Sequence, residues 1–248
     1  MKKLTSILLL WMLLFVQQAA FGQQIVSGRH RKIFTATGST VTYAGINCSN
    51  YIASASSVSC TVSGLSAGQT IYIESQWYTA SLTATMGDSN GSTSVVSGPT
   101  TLTTQTGGDE MWVVKNTNSG SHVLTLTLSG TAAYPNIFAI VLSGASATSP
   151  TDSVATLKQS TGSPATLTSN GLTTTTSNEF LLVPLCGYSG GGVTISGGTS
   201  PQVMTLAINN GNMASMYGTA VTAGTNYATC ILSGTGSNAT TMSLVAVH

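Results

Sequence analysis

Apolar and polar residues alternate most clearly from Thr70 to Tyr78. Ile71, Ile73 and Trp77 fall on one side, and Tyr72, Glu74, Gln76 and Tyr78 on the other, the period of two that marks a β-strand. Leu124, Leu126 and Leu128 against Thr125 and Thr127 predict a half-buried strand within His122 to Leu128. Met111 to Val114 and Ile137 to Leu142 are read as further strands before and after it in the chain, connected through Asn118-Ser119-Gly120 and Ala133-Tyr134-Pro135-Asn136. Upstream, Ser81 to Met86 and a Ser/Thr strand running toward Pro99 flank Gly87-Asp88-Ser89-Asn90-Gly91, where Asn-Gly signals a hairpin. Phe180 to Cys186 is apolar on both faces, which suits a strand covered on both sides, and Pro184 predicts a bulge or an edge. A loop over Gly187 to Gly198 is then expected, followed by strands at Gln202 to Ile208, Met213 to Ala220, Tyr227 to Leu232 and Met242 to Val247. Before Gly64 the pattern is weak, with short alternations at Ile33 to Thr37 and Thr40 to Tyr43.

The stretch from Asp109 to Gly144 has a fainter copy at the end of the chain. At an offset of 104, Leu128-Ser129-Gly130-Thr131 falls on Leu232-Ser233-Gly234-Thr235, Gly120 on Gly224, Ile140-Val141 on Leu244-Val245 and Trp112 on Met216. The Phe180 run matches Ile71 to Trp77 at an offset of 109. This reads as one strand pattern used twice, with residues 64–145 and 146–248 as the halves and Ala145 to Pro150 as the break. Neither half buries its apolar face alone, so the two are expected to close on each other as facing sheets. The fold expected is an all-β, jelly-roll-like antiparallel sandwich, with two serial Ig-like sandwiches as the alternative. An outer-membrane barrel is disfavoured by Pro184, by missing aromatic girdles and by the ending Val247-His248.

Composition sharpens the class. Charged residues are 5% of the chain, yet hydrophobic content is 42% and mean hydropathy +0.28, which requires a core. Lys2 and Lys3, the apolar run Leu4 to Val16 and Ala20-Phe21-Gly22 form a signal peptide over residues 1–22, cleaved before Gln23, so export and an extracellular or cell-surface location are expected. The periplasm is a further possible destination. The run is too short to span a membrane, and no second one exists. Residues 23–63 are read as an arm with the first short strands. Its cluster Arg29-His30-Arg31-Lys32 is expected to be solvated, and five basic residues against six acidic ones after cleavage exclude nucleic acid as a partner. Four cysteines in an exported chain predict two disulfides, with Cys48–Cys60 and Cys186–Cys230 favoured among three pairings.

The turn Asp88-Ser89-Asn90-Gly91, the strand Met111-Trp112-Val113-Val114, Asn-x-x-Ser-Gly, a T-x-T strand and Ile140-Val141-Leu142-Ser143-Gly144 follow in succession. In this the chain resembles a group of secreted β-sandwich proteins common in environmental bacteria, over Gly64 to His248. The resemblance implies a jelly-roll-type fold and an extracellular site. It brings no catalytic residues with it.

Candidate chemistry is sparse. Glu74 and Glu179 are the one carboxylate pair with the look of a glycosidase couple, but they do not match in the repeated pattern. No G-x-S-x-G elbow, phosphate loop, CxxC or Cys/His cluster occurs, so neither a metal nor a cofactor is expected. Asp88, Asn90 and Ser92 lack the rest of a calcium loop and are read as a plain turn. Tyr72, Glu74, Gln76 and Tyr78 offer aromatic platforms beside hydrogen-bonding groups on one strand face, the mixture that binds sugars. The competing reading of that face is a solvent-facing strand surface. Trp77 and Trp112 are expected in the core. The function expected is non-catalytic binding of a glycan or cell-surface polymer, with self-association into an extracellular assembly as the alternative and a jelly-roll glycosidase or lyase behind it.

Overall fold

A computed structural model describes residues 41–102, 106–160, 166–188, 193–199, 202–210, 213–219, 222–234 and 240–248. The signal peptide, the basic arm and the strand expected at Ile33 to Thr37 lie outside them. All of the regular structure described is β-strand. The first half has β1 (Thr42–Tyr51), β2 (Ser54–Leu65), β3 (Thr70–Trp77), β4 (Ala84–Asp88), β5 (Thr93–Leu102), β6 (Gly107–Val114), β7 (Gly120–Ala133) and β8 (Asn136–Ser143). They form two antiparallel sheets, β1-β8-β3-β6-β5 and β2-β7-β4. The run 1-8-3-6 over 2-7-4 is jelly-roll order, with β5 paired to β6 instead of β4.

The second half has β9 (Thr151–Val154), β10 (Lys158–Ser160), β11 (Thr166–Thr168), β12 (Leu172–Thr174), β13 (Phe180–Tyr188), β14 (Val193–Gly197), β15 (Thr205–Asn209), β16 (Met213–Thr219), β17 (Gly224–Asn226), β18 (Thr229–Gly234), β19 (Thr240–Met242) and β20 (Val245–Val247). Four of its strands are interrupted. When β9 and β10, β11 and β12, β17 and β18, and β19 and β20 are each taken as one, the order becomes 9/10-19/20-13-16-15 over 11/12-17/18-14. Each place in the first half therefore has a counterpart in the second. Gly120 and Gly224, matched in sequence, both open their strands at positive φ, 114° and 124°.

Burial follows alternation. Ile71, Ile73, Trp77, Trp112 and Val141 point to the small sheet of the first half and meet Val62, Leu124 and Leu126. Gly108 lies so close to the Trp77 ring that a Cβ there would come within 2.3 Å of it. In the second half Leu181, Val183, Met216 and Ala246 meet Leu172, Ile195 and Leu232. The opposite faces of the two large sheets build a third core, with Tyr72, Met111, Phe138, Ile140 and Leu142 against Phe180, Leu182, Leu185, Val245 and Val247. In this seam β1 lies over β15 and β5 over β9, the edge exchange of a two-fold related pair. The described sheets thus stack in four layers.

Several expectations change in consequence. Each half owns a core and the halves share a third, an arrangement between one sandwich and two serial ones. The arm expected before Gly64 supplies β1 and β2 to the first half, because Val58, Cys60 and Val62 alternate into its core despite their Ser-rich surroundings. Asn90-Gly91 closes no hairpin: β4 pairs with β7 and β5 with β6, so the turn carries the chain from one sheet to the other. The expected loop over Gly187 to Gly198 contains β14. Leu181 takes the place of Ile71, one residue on from the sequence match, and a one-residue slip exchanges the faces of a strand. The bulge expected at Pro184 is present, as the register with β16 shifts between Val183 and Cys186. Both predicted disulfides form, Cys48–Cys60 and Cys186–Cys230, and each joins the two sheets of its own half.

Candidate functional site

The face of β3 expected to meet a ligand points into the seam. Tyr72, Glu74 and Gln76 have no exposed surface, and Tyr78, just past the strand, is half-buried. An open sugar platform on this face is therefore corrected, as is the solvent-facing alternative: the second half covers it. The counterpart face is formed by Phe180, Leu182 and Leu185; Leu181 and Val183 point the other way, and the bulge at Pro184 returns Leu185 to the seam.

What the face builds is a buried polar cluster. Gln76 Nε2 donates to Asp109 Oδ2 at 2.8 Å and to Thr241 Oγ1 at 2.7 Å, so one amide links β3, β6 and the second half. Ser243 of the second half donates its hydroxyl to Glu74 Oε2. Tyr72 shares a 2.7 Å hydrogen bond with Thr151, and the Tyr78 hydroxyl donates to Gln76 Oε1 at 3.5 Å. Burial pushes the pKa of both tyrosine hydroxyls up, so both stay protonated.

Carboxyl groups dominate the cluster, and no cation faces them among the described residues. Burial, then the Asp109 charge and hydrogen bond, push Glu74 well above the usual carboxylate range, against the Ser243 hydroxyl. Glu74 Oε1 meets no N–H or O–H donor. The direction is toward a neutral, protonated Glu74 beside Asp109, as expected where like charges share one site. Burial raises Asp109 to about 6, opposed by its bonds to Glu74 and Gln76. Glu110 rises to about 7, first through burial and then through the Asp109 charge.

The other couple weighed from the sequence does not assemble. Glu179 directly precedes β13, where its Oε1 accepts from Thr176 N at 3.0 Å and Thr176 Oγ1 at 2.6 Å. Glu74 meets Ser243, whose hydroxyl accepts from Leu185 N, six positions further along β13. At about 3.3 Å per residue the two carboxyls are on the order of 15–20 Å apart, beyond the roughly 5–10 Å of paired glycosidase carboxylates. Asp88 is likewise engaged, by His122 Nδ1 at 2.7 Å and Asn90 N at 3.1 Å, which leaves the turn as a plain one.

Exposed chemistry lies at the end of the first half. Tyr51 and Tyr134 are 60% and 53% exposed, beside Ile52 at 38%. Their turns are tied by Ile52 N to Pro135 O at 3.1 Å and Tyr134 N to Ala53 O at 3.0 Å. Tyr134 holds φ 50°, an unfavourable region for a bulky residue, and its ring stands edge-on to Tyr78 with centroids 6.4 Å apart. Sequence reading treated Tyr134 only as part of a connection; an aromatic before Pro in a turn was the available signal. A cleft of about 210 Å³ opens between Val95, Lys115 and Thr151 at the β5 edge, below the ~300 Å³ at which small-molecule sites begin.

The two disulfides suit an oxidising compartment. No described helix is long and apolar enough to cross a membrane. Comparison with family models, with curated proteins and with solved structures gave no match to this chain.

Proposed function

We propose that the protein is an exported, non-catalytic binding module that engages a glycan or cell-surface polymer through the tyrosine-bearing turns at the end of its first half. The observation that carries this reading is Tyr134, more than half exposed in a left-handed conformation and fixed by a paired turn that also presents Tyr51. Strain of that kind persists only where the surroundings impose it, and rigid exposed aromatics lie flat on sugar rings. Export rests on the signal sequence and is supported by the disulfides and by the resemblance to secreted β-sandwich proteins. The repeated strand order and the 104-residue offset support an internal duplication. Catalysis by Glu74 and Asp109 is disfavoured because a substrate has no surface of Glu74 to reach.

Retention on insoluble polysaccharides and a glycan array test the binding. Tyr51→Ala and Tyr134→Ala are expected to lose binding about tenfold or more while unfolding like the parent, since stacked aromatics contribute about 1–3 kcal/mol each. Binding that survives both substitutions, or no binding by the parent, rejects the reading. A second reading, assembly through a sheet edge, is favoured by β15, the last strand of its sheet among the described residues, where Leu206 is 38% exposed and Val203, just before the strand, 66%. Light scattering that shows oligomers dissolved by Leu206→Lys would select it.

A further inference from the structure

Three strands of the second half's large sheet bring Asp152, Glu179 and His248 together. In this sheet β20 lies between β9 and β13, and Val247 pairs with both Thr151 and Phe180. Phe180 and Val247 face the seam, and Thr151 bonds Tyr72 across it. Alternation therefore turns Glu179, His248 and Asp152 to the other side of the sheet. One ligand atom from each of the three lies within 4.8 Å of the others.

The carboxylates are held by a shared scaffold. Asp152 accepts from Thr175 N at 3.1 Å and Thr175 Oγ1 at 2.9 Å, while Glu179 Oε1 takes the hydrogen bonds of Thr176. Glu179 Oε2 is buried with no partner, on a residue only 3% exposed. Among the described residues no basic side chain pairs with either acid. The His248 backbone is fixed on both sides, its N–H to Pro150 O at 3.0 Å and its carbonyl from Ser146 N at 2.7 Å. A buried carboxyl with one oxygen left without a donor, beside a second carboxylate and an imidazole, lacks a positive charge.

The first half supplies an internal control. Gln69 precedes β3 as Glu179 precedes β13, and it accepts from Ser66 N three residues earlier, as Glu179 does from Thr176 N. Its amide donates to Ser143, which neighbours it across the sheet as His248 neighbours Glu179. The same backbone device thus carries a neutral amide and a hydroxyl in one half and two acids and an imidazole in the other.

The geometry points to a cation site at Asp152, Glu179 and His248 for a divalent first-row transition metal, with Zn²⁺ the best match. Imidazole beside carboxylates selects such metals over Ca²⁺ and Mg²⁺, which prefer all-oxygen shells, and the absence of thiolate disfavours Cu(I). Bonds of about 2.1 Å place tetrahedral ligands about 3.4 Å apart, so the donors close in by an ångström or so. Three protein ligands leave one position for water or for an oxygen of a bound partner. Thr175 and Thr176 are positioning residues that orient the carboxylates.

The test is Zn²⁺ titration of the EDTA-treated full chain, followed by calorimetry and by the thermal midpoint, with Mg²⁺ and Ca²⁺ in parallel. One Zn²⁺ per chain is expected, with a rise in midpoint that Mg²⁺ and Ca²⁺ do not reproduce. Glu179→Gln recreates the side chain the first half uses at this place, and His248→Ala alters an exposed ring. Both are expected to keep the metal-free midpoint and to bind Zn²⁺ at least tenfold more weakly. Zn²⁺ bound equally well by either variant, no Zn²⁺ effect on the parent, or an equal effect of Ca²⁺ overturns the assignment.

Discussion

Asp109 is one of the residues through which pH acts on this protein. Burial pushes its carboxyl up from an ordinary 3.8 to about 6, against the hydrogen bonds of Glu74 and Gln76. A raised carboxyl binds a proton more tightly folded than unfolded, so its contribution to stability is full below about pH 4 and is lost as pH rises through about 6. The shift corresponds to a loss on the order of 3 kcal/mol. Glu110, raised to about 7, extends the decline in the same direction. Urea midpoints are therefore expected to fall between pH 4.5 and 7.5. Asp109→Asn, which cannot ionise, is expected to flatten that slope; an unchanged slope would remove Asp109 from the account. The sequence placed Tyr72, Glu74 and Gln76 on an open strand face, ligand-binding or solvent-facing, since they alternate with Ile71 and Ile73 like any polar outer face. Alternation reports which residues share a side of a strand; it does not say what lies against that side.

At the scale of elements, the disulfides predict different consequences. Cys48–Cys60 joins β1 to β2 over 12 residues and Cys186–Cys230 joins β13 to β18 over 44. Loop-closure entropy assigns roughly 3 kcal/mol to the first and roughly 4 kcal/mol to the second. Cys186→Ser with Cys230→Ser is expected to lower the unfolding midpoint more than the Cys48→Ser with Cys60→Ser pair; the reverse order would contradict the chain-entropy argument. The elements most readable from sequence were β3, β6, β7, β8, β13 and β16, whose apolar residues are large, and strands were also placed over β4, β5, β15, β18 and the β19–β20 stretch. The missed or blurred elements, β1, β2, β9 to β12 and β14, are short or rich in small and polar residues, as in TYAGINCSNY, SASSVSCTVSGL and KQS. Such strands bury few large side chains, and pairing with longer neighbours holds them, so their pattern is faint. Pro184 was legible for the opposite reason: a residue without an N–H has few places in a sheet, and its bulge turns Leu185 to the seam. Tyr51 and Tyr134 were missed because one closes a faintly patterned strand and the other lies in a turn, where periodicity carries no signal. Asp152, Glu179 and His248 were missed because 96 residues separate ligands that strand pairing makes adjacent.

On the scale of the whole molecule, two sandwiches of one strand order meet through a face that neither exposes. The seam combines apolar packing around Tyr72, Phe138 and Leu182 with polar links whose partners come from opposite halves. Buried polar links of this kind fix one alignment of two apolar surfaces, because any other leaves carboxyls and amides without partners. Only this closure puts the Tyr72 face inside and leaves the turns as the exposed aromatic surface. The most direct test is a double-mutant cycle between Gln76 and Thr241, 2.7 Å apart across the seam, with Gln76→Ala, Thr241→Val and the double variant compared by urea unfolding. A coupling of about 1 kcal/mol or more is expected for a buried hydrogen-bonded pair. Additive losses, with coupling below about 0.5 kcal/mol, would mean that the two halves do not meet along this face.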